Sequence, residues 1–170
     1  MEKGGFLSAR HEQEGYLDRF RGRIMFPIHD RSGKVIAFAG RILGDGQPKY
    51  LNSPETLLFN KSRTLYNLHQ AKTSIRKLRQ ILLFEGYGDV ISSWEAGLQN
   101  GVATMGTSLT ENQVAIMKSM AEEVVVIYDG DRAGMAAAMK VIPMLEGAGL
   151  RVKIALVSEG LDPDEYVRKF

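Results

Sequence analysis

The sequence predicts an α/β protein, with a mostly parallel sheet flanked by helices over residues 81–170 and a small basic α+β subdomain before it over residues 1–80. Three observations carry this. Apolar, β-branched runs at 81–84, 102–104, 124–128 and 151–157 alternate with helical patterns, the order of strand–helix–strand units. Residues 23–28 and 34–41 flank the turn residues Asp30-Arg31-Ser32-Gly33, a hairpin pattern. Charge divides near residue 80, with 15 Lys and Arg against 7 Asp and Glu before it (+8) and 7 against 13 after it (−6). A basic part joined to an acidic part suits a protein that holds a polyanion with one face and divalent cations with another.

At 170 residues, 44% hydrophobic and 25% charged, the chain has material for one solid core or two small ones. No run of apolar residues is long enough to cross a membrane, and Met1-Glu2-Lys3-Gly4-Gly5 lacks the apolar core of a secretory signal, so a cytoplasmic protein without a membrane partner is expected. The absence of cysteine removes disulfides, thiolate catalysis and any cysteine-built zinc site. His11, His29 and His69 show no metal-ligand spacing, so a metal here would be a hard, oxygen-bound one.

Residues 1–20 show no sustained period and read as a lead-in. Pro27 marks the first hairpin strand as an edge or a bulge. Residues 44–54 read as a loop, rich in Gly, Pro, Asn and Ser and carrying Lys49, Tyr50 and Asn52; Lys61 follows it. Apolar residues at 65, 68, 71, 75 and 78 predict a helix. Residues 81–85 predict a buried strand ending in Glu85, and a helix with Asp89 in its first turn runs to Gly97. Thr110 and Gln113 form a capping box opening the next helix. The strand at 124–128 has the composition of one buried on both faces. A helix over about 133–146, kinked by Pro143, leads to the last strand, and Asp162-Pro163-Asp164-Glu165 opens a final helix.

Three strands in this half end in acids: Glu85, then Asp129 and Asp131, then Asp162 and Asp164. In a parallel sheet these five share the carboxyl edge, where α/β proteins bind ligands. Asp129 and Asp131, two like charges one glycine apart, repel unless a cation or water intervenes. Mg²⁺ suits such a dispersed oxygen cluster, and two such ions can clamp both oxygens of a phosphoryl transfer. Glu85 directly abuts four large apolar residues and is the candidate general base. Bland readings stand beside these. Asp162 is a good N-cap, Asp89 complements a helix dipole, and an exposed turn accounts for Asp129 and Asp131. Arg41, Lys49 and Lys61 read as solvated surface or as polyanion contacts.

Glu85-Gly86-Tyr87-x-Asp89-Val90, Tyr128-Asp129-Gly130-Asp131-Arg132-Ala133-Gly134 and Asp162-Pro163-Asp164 together resemble the TOPRIM domain of primases, topoisomerases and some nucleases. The segments Arg23-Ile24-Met25-Phe26-Pro27-Ile28 and Pro48-Lys49-Tyr50-Leu51-Asn52-Ser53-Pro54-Glu55-Thr56, with Phe59-x-Lys61, narrow this to the catalytic core of bacterial DnaG-type primases, from about residue 16 onward. The resemblance implies RNA primer synthesis on single-stranded DNA from ribonucleoside triphosphates, with Mg²⁺ or Mn²⁺. It implies Glu85 as acid/base residue, Asp129, Asp131 and Asp164 as metal ligands, and Asp89 and Asp162 in support. Arg41, Lys49, Tyr50, Asn52 and Lys61 would face template or nucleotide. The family's zinc-binding and helicase-binding domains are not in this sequence, so no zinc is expected, helicase contact would run through a domain outside it, and a monomer is expected. A DNA- and metal-binding module without turnover, and a TOPRIM-type nuclease, are the alternatives.

Overall fold

A computed structural model of the chain describes residues 4–9, 15–106, 108–155 and 165–166. It divides into two compact units, Met1–Asn60 and Lys61–Phe170.

In the first unit, β1 (Leu7–Ala9) and β2 (Tyr16–Asp18) pair antiparallel. Neither was expected, because residues 1–20 are polar and show no sustained period. β3 (Arg23–His29), β4 (Val35–Ile42) and β5 (Tyr50–Asn52) form an antiparallel sheet in that order. Pro27 lies in β3, an edge strand whose pairing shifts register between Ile28 and His29, so its missing N–H costs the ladder little. Asp30 closes the hairpin by accepting from the Ser32 N–H (2.8 Å), the Ser32 hydroxyl (2.7 Å) and the Lys34 N–H (3.0 Å), while Gly33 takes the left-handed conformation the turn requires. β5 was hidden in the loop composition; its register with β4 is a tertiary fact.

The second unit opens with a short 3-10 helix (Lys61–Arg63) and continues α1 (Leu68–Leu78), β6 (Gln80–Phe84), α2 (Tyr87–Glu95), β7 (Gly101–Ala103), α3 (Glu111–Lys118), β8 (Glu123–Ile127), α4 (Arg132–Gly147) and β9 (Arg151–Ile154). The sheet runs β7-β6-β8-β9, all parallel, with an antiparallel bridge from Tyr66 to Ala103 at its margin. Ile81, Leu83, Val124 and Val126 pack with Leu68 and Ile75 of α1, Val114 and Met117 of α3, and Val141 and Leu145 of α4. Leu82 and Phe84 pack with Val90 of α2 on the other face. α1, assigned to the basic subdomain from its charge, therefore contributes its apolar stripe to this core. Charge marks the exposed face of an amphipathic helix, whereas the buried face decides where it docks.

β8 differs from expectation in one respect. Val124 and Val126 are fully buried but Val125 and Ile127 only partly, because α2 is placed over β6 and β7. α4 runs through Pro143 without ending. The final strand and helix were expected at 151–157 and beyond 161; of these, residues 156–164 lie outside the described residues. Among the described residues no helix is long and apolar enough to cross a membrane.

Candidate functional site at the carboxyl edge of the parallel sheet

β6 and β8 are neighbours paired Phe84 to Ile127, so Glu85 and Tyr128 leave the sheet at the same edge. The Asp129 backbone N–H donates to the Glu85 carboxylate, while Glu85 Oε1 is buried with no hydrogen-bond partner among the described residues. Burial pushes the Glu85 carboxyl above the usual range, and the charges of Asp129 and then Asp131 push it further against the pull of that N–H. The Tyr128 phenol is raised by its burial and by Glu85. A carboxyl in this setting holds a proton more readily than a solvated one, which suits a proton acceptor.

Helix starts define the rest. Asp131 is the N-cap of α4, its Oδ1 accepting from the Gly134 N–H at 2.7 Å. Asp89 accepts from the Gly86 N–H at 3.3 Å in the first turn of α2, the capping role its position suggested. Both helices present their N-terminal, positive dipole ends at this edge. Gly134 is a residue that sequence reasoning did not single out for function. A Cβ there would collide with the Asp129 carbonyl and lie 2.9 Å from the Asp129 nitrogen, so only glycine lets α4 start close enough to fix Asp129 beside Glu85. Its spacing within Asp129-x-Asp131-x-x-Gly134 was the available signal.

Glu85, Asp129 and Asp131 are thus brought together. Asp162 and Asp164 lie outside the described residues. Among the described residues no three acidic or histidine side chains are gathered closely enough to hold a metal ion by themselves.

In the first unit, the strand register places Ile24 opposite Arg41 and Arg41 opposite Tyr50, one row across three strands, with Asn52 two residues along on the same face. Arg41, Tyr50 and Lys49 are exposed and Asn52 partly so. Ile24, 47% exposed in the same row, escaped notice because its apolar neighbours Met25 and Phe26 hide the alternation. Arg23 shows that some of the basic excess is structural, since its guanidinium donates to the carbonyls of Gly40 (3.2 Å) and Pro48 (2.8 Å) and ties down the loop before β5. Lys61 belongs to the second unit, at the start of its 3-10 helix.

Residues 1–72 match the family described as DNA primase catalytic core, N-terminal domain, and residues 82–167 the family described as Toprim-like. The chain is 51% identical over 170 residues to a DNA primase of Geobacillus stearothermophilus, covering 100% of this chain and 28% of that protein. It spans the same 28% of the Halalkalibacterium halodurans DNA primase, at 48% identity over 168 residues, or 99% of this chain. Among solved structures it is similar to a DNA primase domain from Pseudomonas aeruginosa, with a TM-score of 0.93 and 41% identity, covering 99% of this chain and 54% of that one. A DnaG primase catalytic domain bound to single-stranded DNA gives a TM-score of 0.88 and 40% identity, with coverage of 99% and 53%.

Proposed function

This chain belongs to the family of bacterial DnaG-type primase catalytic cores, and from that premise we propose that it carries the nucleotidyl-transfer site for RNA primer synthesis on single-stranded DNA. The observation that carries the reading is Glu85, a half-buried carboxylate with one oxygen unpartnered among the described residues and its pKa raised beside Asp129 and Asp131. In the reaction a ribonucleotide 3′-hydroxyl attacks the α-phosphorus of an incoming triphosphate. A P–O bond forms, pyrophosphate departs, and the hydroxyl proton must go to a base. Glu85 takes that proton and, being held high, can return it.

The donor chemistry fits a divalent cation. Glu85, Asp129 and Asp131 are all-oxygen donors, crowding three like charges at one edge is costly without a counter-ion, and Asp162 and Asp164 complete the proposed ligand set. When bound, Mg²⁺ or Mn²⁺ supplies charge stabilisation for the phosphoryl oxygens. Asp131 holds the start of α4, and with it the Asp129 backbone, in place. Asp89 does the same for α2.

Arg41, Lys49, Tyr50 and Asn52 contact the template or incoming ribonucleoside triphosphate, with Lys61 as a further phosphate contact. The relative crystallised with single-stranded DNA supports that partner. We place the chain in the cytoplasm, with helicase engagement through parts of the relatives that it does not span. The test is Glu85→Gln carried in a full-length primase. Dinucleotide synthesis with Mg²⁺ or Mn²⁺ is expected to fall about 10²–10⁴-fold. Synthesis at the wild-type rate overturns the assignment, and nicked DNA in place of primers shows strand cleavage instead.

A further inference from the structure

The 3-10 helix that carries Lys61 cannot hold itself in place. It is three residues long, and its internal bond, from the Thr64 N–H to the Lys61 carbonyl, is 3.3 Å. Two side chains at the start of α3 bind its backbone. The Thr110 hydroxyl donates to the Ser62 carbonyl at 2.6 Å, and the Gln113 amide donates to the carbonyls of Lys61 (3.1 Å) and Thr64 (2.9 Å). The two are locked to each other by a capping box. The Thr110 N–H donates to Gln113 Oε1 at 3.0 Å, and the Gln113 N–H to Thr110 Oγ1 at 3.2 Å. Gln113 is fully buried, and every donor and acceptor of its side chain is engaged. One turn on, Val114 and Met117 sit in the sheet core.

We infer that Thr110 and Gln113 are positioning residues for Lys61, clamping its backbone to the core so that the lysine meets a phosphate from a fixed main chain. The inference rests on Lys61 being a phosphate contact, as proposed above. A capping box alone needs only the hydroxyl and amide of its own helix. Here the same two side chains also reach back 48 to 52 residues to three carbonyls, those of Lys61, Ser62 and Thr64, around a basic residue. Ligand binding through a side chain loses less entropy when the backbone beneath it is already fixed.

A double-mutant cycle tests this. Affinity of the 170-residue chain is measured for two probes, a labelled single-stranded DNA and ATP, which separate a template phosphate from a triphosphate. Lys61→Ala is expected to weaken at least one arm. Gln113→Met and Thr110→Val should each weaken that same arm about 3–10-fold, with the combination Lys61→Ala/Gln113→Met no weaker than Lys61→Ala alone. A merely structural clamp gives additive losses instead, and that result overturns the inference. So does a folded Gln113→Met chain with unchanged affinity. If Gln113→Met fails to fold, Thr110→Val against Thr110→Ser decides. Affinity lost with valine and kept with serine supports the clamp, and equal affinities overturn it. Unchanged binding by Lys61→Ala in both arms removes the premise, and with it the clamp's role. That failure is distinguishable from one in which Lys61 matters and the clamp does not.

Discussion

The two ends of β6 and β8 carry acidic residues in opposite circumstances. At the amino end, Glu122 pairs with Arg79 and with Arg151 (3.5 Å), and Glu123 pairs with Lys153 (3.0 Å) and accepts from the Gln80 amide at 2.8 Å. The hydrogen bonds from Gln80 and Lys153 hold the Glu123 carboxyl below its usual range. At the carboxyl end, Glu85 sits with Asp129 and Asp131, raised by burial and by their charges. The same residue types at opposite ends of the sheet are thus paired with cations at the amino end and crowded with other acids at the carboxyl end. An acid whose carboxyl is raised by burial and neighbouring acids is a candidate site; one whose carboxyl is lowered by hydrogen bonds and cations is a structural one.

The comparison is sharpened most by activity. Glu85→Gln should remove about 10²–10⁴-fold of nucleotidyl transfer in a full-length primase, while Glu123→Gln leaves the rate at wild type, measured as labelled dinucleotide per enzyme. Equal losses at the two ends would break the contrast. Next in size is the response to a divalent cation. Mn²⁺ at about 100 times its dissociation constant should stabilise the chain by about 2.7 kcal/mol, read as a rise in thermal midpoint. The rise should shrink in Glu85→Gln and Asp129→Asn and persist in Glu123→Gln.

Gly134→Ala places a methyl group against the Asp129 carbonyl and should cost about 1–3 kcal/mol in urea denaturation. An alanine tolerated without loss would show that α4 does not set the position of Asp129.

The smallest effect is in pH. A carboxyl whose pKa is higher folded than unfolded binds its proton more tightly when folded. Glu85 therefore favours folding below its unfolded pKa and loses that contribution as pH rises through its folded value. Glu85→Gln should raise the thermal midpoint at pH 7 by about 1–3 °C, with solvent screening keeping the figure small, and the gain should shrink as pH falls. Glu123 runs the other way. Its contribution is present above its unfolded pKa and is lost as pH falls through its lower folded value, so Glu123→Gln should destabilise at pH 7 and converge with wild type in acid.

Much of the second unit was legible. Buried strands and amphipathic helices announce themselves by period, and the Thr110–Gln113 capping box is a local pattern found where expected. β1, β2 and β5 were not legible, since their three residues each lie among polar and loop-forming residues, whereas the equally short β7 was marked by its apolar run after α2. Of the candidate site, the shared edge of Glu85, Asp129 and Asp131 was legible from their place after apolar strands. Ile24 and Gly134 stood only within longer motifs with no role of their own assigned, because a cross-strand row and a close backbone approach are not displayed by composition.

By itself, then, the sequence determined the alternation of strands and helices, the all-oxygen character of any metal site and the acids that end the strands, because each follows from residue type and local spacing. Only the tertiary structure decided that β6 and β8 are neighbours, that α1 docks in the acidic half's core, and that Gln113 grips the turn bearing Lys61. The physical reason is that pairing and docking join residues dozens of positions apart. Those choices are made by the fit of buried faces and by backbone carbonyls needing donors, neither of which any local stretch of sequence contains.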